Sequence, residues 1–231
     1  MTQGSYGQFC PVAMAAEVLC TRWTVLVLRE MFAGSTRFNE LRRGLPRMSP
    51  ALLSQRLKEL EAAGVVVRKR GSAAALYEYH LTPSGRELEA IVTGFGVWGQ
   101  RWIESAPSLE NLDVELLMWD MRRNLDVSPM PDRRVTIEFL YSGTAKKLRH
   151  WWLVVSPDDG VELCSIDPGH DVDLYVASDL RSMTAIWLGL DTVRAAVGEG
   201  RVTLTGARKL ASDMQTWLGR SPFAKEKKLV A

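Results

Sequence analysis

Cysteine and histidine are scarce in these 231 residues, with three of each: Cys10, Cys20 and Cys164, and His80, His150 and His170. Three scattered cysteines are too few for a disulfide framework, and neither residue type falls at a zinc-ligand spacing, so no metal and no cofactor is expected. No uninterrupted apolar run approaches the roughly 18 residues of a membrane span. The N-terminus, MTQGSYGQF, lacks the basic-then-apolar pattern of a secretory leader. A cytoplasmic chain with no membrane partner is the expectation. Catalytic signatures are missing as well: there is no serine nucleophile elbow, no phosphate-binding loop and no dinucleotide fingerprint. Asp167 and His170 stand close together, but in the turn sequence DPGH. An enzyme is not expected.

Charge is present and unevenly placed. The chain nets only +2, yet residues 1–105 carry 13 basic and 9 acidic side chains, net +4, and the remainder nets −2. Within residues 37–70 nine bases meet three acids, net +6. Such a concentration is an electrostatic footprint and points to a polyanionic partner for one half of the chain only.

That basic stretch has a helix-turn-helix pattern. Ser49 followed by Pro50 is a helix start, because serine accepts free N–H groups and proline suits the first helical position. Gly64 is the stop. Between them Leu53, Leu57 and Leu60 share one face, and Ala51, Gln55 and Lys58 the opposite one, flanked by Ser54. Small, amide and basic side chains on the outer face of a leucine-packed helix suit the DNA major groove. A hairpin follows at 65–69 and 76–81, with its tip at 71–75. A bland alternative is a solvated helical hairpin with a charged face.

The residues Cys10-Pro11-Val12, Arg22-Trp23-Thr24, Gly34, Arg37-Phe38, Leu41, Ser49, Leu53-Ser54, Arg56-Leu57, Leu60-Glu61, Gly64, Tyr79, Leu81-Thr82 and Gly85 resemble the HxlR family of bacterial winged-helix transcription regulators, relatives of MarR. The resemblance covers about residues 8–105. It implies a homodimer that places two recognition helices and two wings on a pseudo-palindromic stretch of double-stranded DNA. The expected DNA-facing set is Arg37, Arg42, Arg43, Arg47, Ser49, Ala51, Ser54, Gln55, Arg56, Lys58, Arg68, Lys69 and Arg70. Gln55 is the candidate for a base edge, since an amide pairs with adenine. The arginines mostly neutralise phosphates. Arg56 either joins them or holds a carboxylate such as Glu59 or Glu40.

Upstream, residues 11–20 read as a short helix and 23–32 as a buried one, with Trp23, Leu26 and Val27 supporting the helix-turn-helix. Cys10 precedes the first of these helices, where the positive helix end lowers a thiol pKa. It is either a buried small hydrophobe or, as the resemblance implies, a sensor of oxidants and electrophiles. Downstream, Thr82-Pro83 starts a helix expected to reach about residue 105, along which Leu88, Ile91, Val92, Phe95, Trp98 and Trp102 recur at helical spacing. In isolation that stripe is core. Aromatic anchors also dominate dimer contacts, and Phe95, Trp98 and Trp102 are the expected interface.

Ala106-Pro107-Ser108 marks a boundary, giving domains at 1–105 and 106–231. Beyond it come an amphipathic helix at 109–125, then a change of period: strands at 135–141, 150–155, 161–165 and 172–176, with PDDG at 157–160 as a hairpin turn. Helices at 178–189 and 192–197, a strand at 201–205 and a helix at 207–218 complete the chain. The stretch DLYVASDLRSMTAIWLGLDTVRAAVGEGRVTLTGARKLASDMQTWLG resembles sterol carrier protein type-two-like domains over about residues 130–220. That resemblance implies helices over a twisted sheet around an apolar tunnel. Large apolar side chains line such sites; Trp119, Trp151, Met183, Trp187, Met214 and Trp217 are the expected lining for a small hydrophobic ligand, with core packing as the alternative.

The fold expected is thus α+β: a winged helix-turn-helix domain followed by an α/β sterol-carrier-like domain. The function expected is a dimeric DNA-binding transcription regulator controlled by a hydrophobic ligand, by thiol modification of Cys10, or by both. The rival is a hydrophobic-ligand carrier whose N-terminal part mainly dimerises it.

Overall fold

The computed structural model describes residues 5–71 and 77–230, so the expected wing tip beyond Gly71 lies outside the described residues. The chain divides into two compact units, residues 1–96 and 97–231.

The first unit is α1 (Pro11–Leu19), α2 (Thr24–Phe32), α3 (Phe38–Gly44), α4 (Pro50–Ala62), the antiparallel hairpin β1 (Val66–Arg70) and β2 (Tyr77–Leu81), α5 (Pro83–Glu87) and the start of α6 (Glu89–Trp102). Its core is one cluster in which Val27 and Leu28 of α2, Leu41 of α3, Leu53, Leu57 and Leu60 of α4, and Val65 and Val66 meet. Leu26 faces outward instead of into this core. The entry to α2 is unusual. Trp23 caps it with φ +80°, a left-handed conformation costly for a bulky residue, and the Arg22 guanidinium lies 5.6 Å over its ring. The helix expected at 82–105 is interrupted at Leu88, whose N–H donates to the Gly85 carbonyl. Gly85 is needed there: a β-carbon would stand 2.1 Å from the Val65 carbonyl oxygen.

The second unit contains α7 (Ser105–Glu110), α8 (Val114–Arg123), β3 (Val135–Ser142), β4 (His150–Ser156), β5 (Gly160–Cys164), β6 (Leu174–Asp179), α9 (Leu180–Trp187), α10 (Val193–Gly198), β7 (Val202–Gly206), α11 (Arg208–Ser212) and α12 (Met214–Leu218). One five-stranded sheet runs in the order β5-β4-β3-β6-β7, with β3 and β6 parallel and the other neighbours antiparallel. Alternate residues of β3, Val135, Ile137, Phe139 and Tyr141, join Leu153 of β4 and Val176 of β6 in one cluster with α8 to α12. The helices therefore lie on one face of the sheet. Asp113, Asp179 and Thr192 cap α8, α9 and α10 by accepting N–H groups at their third positions, which fixes where each begins. No single helix among the described residues is long and apolar enough to cross a membrane.

The residues of the expected ligand lining are packed as core. Trp151, Met183, Trp187, Met214 and Trp217 are buried members of the second unit's core cluster. Trp119 is buried too, with the Arg122 guanidinium 5.0 Å over its ring. The indole N–H groups of Trp151 and Trp217 donate to the carbonyls of Leu148 and Leu210, at 2.9 and 2.7 Å. A buried indole needs one acceptor, and each has found it within the fold. Five helices against one sheet face consume these side chains as packing, and none of the six borders either of two large clefts among the described residues of this unit, of about 530 and 500 Å³.

Candidate nucleic-acid interface

Helix α4 is built as its spacing predicts. The Ser49 hydroxyl accepts the Leu52 N–H at 3.3 Å, Pro50 takes the first helical position, and Gly64 ends the segment at φ +70°. Leu53, Leu57 and Leu60 are fully packed, which leaves Ala51, Gln55 and Lys58 exposed and Ser54 half-buried. Burial of three leucines, each contributing roughly 2 kcal/mol, fixes which face of α4 meets solvent.

In the same unit Arg42, Arg43 and Arg47 are exposed near and after the end of α3, and Arg68, Lys69 and Arg70 along β1. The wing is tied to the helices. Tyr79 N–H donates to the Thr36 carbonyl at 2.8 Å, and Arg37 Nε lies 3.5 Å from the Glu78 carboxylate. Glu40 closes the start of α3 by accepting the N–H groups of Thr36 and Arg37, both at 3.0 Å. The Arg68 guanidinium sits 4.6 Å over the Tyr77 ring and its Nε lies 3.9 Å from the Glu61 carboxylate, so its charge is already engaged within the unit.

Arg56 departs from the DNA-facing expectation. Its side chain is only 13% exposed; Nε donates to the Arg22 carbonyl at 3.0 Å and Nη1 to Glu59 Oε2 at 2.5 Å. Of the two roles open to it, the structure takes the internal carboxylate, and that carboxylate is Glu59. A guanidinium held between a backbone carbonyl and a carboxylate has those two donors already engaged. The sequence offers Glu59 as one carboxylate for Arg56; its bond to Gln55 is the part the sequence reading lacks, although the i, i+4 spacing marks it. The acceptor in the Arg22 carbonyl, 34 residues away, left no such mark.

Cys10 caps α1 and is partly buried. The backbone N–H groups of Ala13 and, less strongly, Val12 hold its thiol below the usual cysteine range. Cys20, at the other end of α1, is exposed. Phe95, Trp98 and Trp102 of α6 are 57, 60 and 51% exposed, and Ile91 and Ile103 extend the same open stripe. Although Leu88 and Val92 pack against the first unit's core, no residue of α6 is fully buried. Among the described residues the three aromatic side chains remain more than half exposed.

In the second unit the two large clefts flank the carboxyl ends of the parallel pair β3 and β6 and share Ser142, Gly143 and Asp179. Leu112, Val114, Leu148 and Leu180 give the 530 Å³ cleft an apolar floor. Arg149, Arg201, Ser178 and Thr203 bring polar groups to the other one, beside Leu140 and Ala177. Burial alone would raise the Asp179 carboxyl, but the hydroxyl and N–H of Ser182 outweigh it and hold Asp179 below the usual carboxylate range. Among the described residues no group of three or more histidine, cysteine or acidic side chains could hold a metal ion.

Comparison with known proteins bears on the first unit. The family described as HxlR-like helix-turn-helix matches residues 18–107. The helix-turn-helix transcriptional regulator YvaP of Bacillus subtilis is 37% identical over 99 residues, covering 42% of this chain and 92% of that protein. A helix-turn-helix transcriptional regulator of Synechocystis is 34% identical over 99 residues, covering 42% of this chain and 73% of its own. Among solved structures, the redox regulator HypR in its reduced form is 35% identical, covers 44% of this chain and 98% of its own, and superposes with a TM-score of 0.38.

Proposed function

The chain belongs to the HxlR-like helix-turn-helix family, and from that premise we propose that it is a homodimeric transcription regulator whose two α4 helices enter successive major grooves of a pseudo-palindromic operator. The observation that carries this reading is the outer face of α4: Ala51, Gln55 and Lys58 exposed over three buried leucines, with the bases of α3 and β1 exposed in the same unit. Gln55 and Ser54 read base edges; Lys58, Arg42, Arg43, Arg47, Lys69 and Arg70 meet phosphate. The exposed aromatic stripe of α6 joins the two copies, so the functional N-terminal domain runs to residue 105.

Residues 106–231 form the regulatory domain in this proposal, a sterol-carrier-like fold that takes a small hydrophobic ligand. Helices covering one face of a five-stranded sheet support that assignment. The ligand enters at the apolar cleft beside Ser142 and Asp179, not among the packed tryptophans. Ligands of open α/β sheets bind at carboxyl ends of strands where the chain leaves in two directions, as it does after β3 and β6. Ligand, or modification of Cys10, changes operator affinity to the extent that it favours one dimer geometry over another.

Fluorescence anisotropy on duplex DNA from the chain's own upstream region tests the core of the reading. Six phosphate-facing basic side chains on each protomer make twelve phosphate contacts in the dimer and a slope of log affinity against log salt of about −11, and Lys58→Ala, which removes one from each protomer, should reduce it by about two. Affinity indifferent to salt, or untouched by Gln55→Ala together with Lys58→Ala, would sink the DNA-binding role. An apolar fluorescent probe titrated into wild type and Ala145→Trp, which fills the cleft, tests the ligand site separately.

A further inference from the structure

On the exposed side of α4 three side chains form a chain of hydrogen bonds. Gln55 Nε2 donates to Glu59 Oε1 at 3.0 Å, and the other oxygen of Glu59 accepts from Arg56 Nη1 at 2.5 Å. Arg56 Nε donates in turn to the carbonyl of Arg22, just before α2. The end of this chain nearest the core is fixed, since Arg56 is mostly buried and its acceptor belongs to the backbone. The outer end is the side chain best suited to read a base.

Chemistry settles which way the Gln55 amide points. A carboxylate only accepts, so the amide nitrogen must be the atom that faces Glu59. One N–H is thereby consumed, and the carbonyl oxygen and the second N–H remain on the side away from Glu59. That pair, acceptor beside donor, matches adenine in the major groove, which offers its N6 amino group and N7 side by side. An untethered glutamine rotates and offers its nitrogen or its oxygen to any edge, guanine included. Glu59 gives no direct help with affinity, because it is an acid that is 46% exposed on the face that approaches phosphate.

We propose that Glu59, clamped by Arg56, is a positioning residue for sequence readout: it holds the Gln55 amide so that each α4 selects adenine at one operator position, at some cost in overall affinity. The inference rests on the DNA-binding reading above.

The experiment selects binding sites from a random duplex pool with wild type and with Glu59→Ala, then measures each protein on the selected duplex and on its adenine-to-guanine variant. Wild type should enrich an adenine that Glu59→Ala no longer requires, with discrimination falling roughly tenfold. Binding to unselected duplex should become tighter in Glu59→Ala, the reverse of what a folding defect produces. The loss should not add to that of Gln55→Ala, because both changes break one unit. Glu59→Gln, which keeps an oxygen for the Gln55 amide, should retain the preference, and melting curves check that each variant is folded. An identical selected sequence for wild type and Glu59→Ala, or losses that add, would overturn this inference alone. If wild type enriches no sequence at all, the DNA-binding reading falls and this one with it.

Discussion

The carboxylate of Glu30, on α2, fills the space beside the α-carbon of Gly44 at the end of α3: a methyl group there would stand 1.8 Å from Oε2. Glu30 is fully buried, and Arg29 Nη2 bridges its Oε1 at 2.8 Å and the Gly44 carbonyl at 2.9 Å. Neither side can give way without leaving a charge poorly paired. Gly44→Ala should therefore destabilise the first unit by about 1–3 kcal/mol, the usual range for overpacking. Chemical denaturation followed by the fluorescence of Trp23 would show it; an unchanged midpoint would mean that the contact between α2 and α3 is slack.

The open stripe on α6 makes a prediction about assembly. Trp98 and Trp102 lie four residues apart and more than half exposed. Central tryptophans in an interface cost about 2 kcal/mol or more each on truncation, and a homodimer loses two, so Trp98→Ala should weaken dimerisation by a factor of about 1,000. Sedimentation at graded concentration measures it. If wild type sediments as a monomer throughout, the stripe serves some other contact.

What could be read in the sequence was local. Ser49, Pro50, the leucine spacing and Gly64 describe α4 without reference to any other part of the chain. The turn PDDG likewise announces the hairpin of β4 and β5, which closes with Ser156 opposite Gly160. Burial was harder to assign, because a stripe of aromatics has the same spacing whether it is packed inside, as Trp187 and Trp217 are, or left open, as Trp98 is. The total apolar surface offered by the neighbouring elements decides between these, and that quantity is not local. Breaks also went unseen. The helix read at 207–218 parts at Asp213, and the strand read from 172 begins at Leu174, once Asp173 has turned its carboxylate onto the Thr136 N–H. The same limit hid the site's internal tether, since no spacing in the sequence links Arg56 to the carbonyl of Arg22.

Asp173 should give the second unit a measurable acid sensitivity. Burial alone would raise its carboxyl, but Arg133 at 2.8 Å and the Thr136 N–H at 2.9 Å hold it below the usual carboxylate range. A carboxyl depressed in the folded state stabilises the fold fully above its unfolded pKa of about 3.9, and the contribution fades as pH falls from there through the folded value. Asp173→Asn should cost about 2 kcal/mol at neutral pH, the scale of a charged hydrogen bond, and the difference from wild type should shrink on acidification. Denaturation midpoints at pH 7 and pH 3 test the sign; a gap that widens in acid would refute the assignment.

Cys10 closes the series because its chemistry separates two forms of control. Pro11 has no N–H, so the nearest amides able to face the sulfur belong to Val12 and Ala13, and both lower its pKa. A lowered pKa means more thiolate at neutral pH, and thiolate is the reactive form. In a variant carrying Cys20→Ser and Cys164→Ser, alkylation of Cys10 should reach its half-maximal rate at a pH below the roughly 8.5 of a free cysteine. The same variant should change its operator affinity after a mild thiol oxidant, and Cys10→Ser should not. If alkylation follows the free thiol and oxidation leaves DNA binding alone, regulation passes to the cleft beside Ser142. The two inputs are separable by mutation, since Ala145→Trp alters the second unit's cleft and Cys10→Ser the thiol in the first unit.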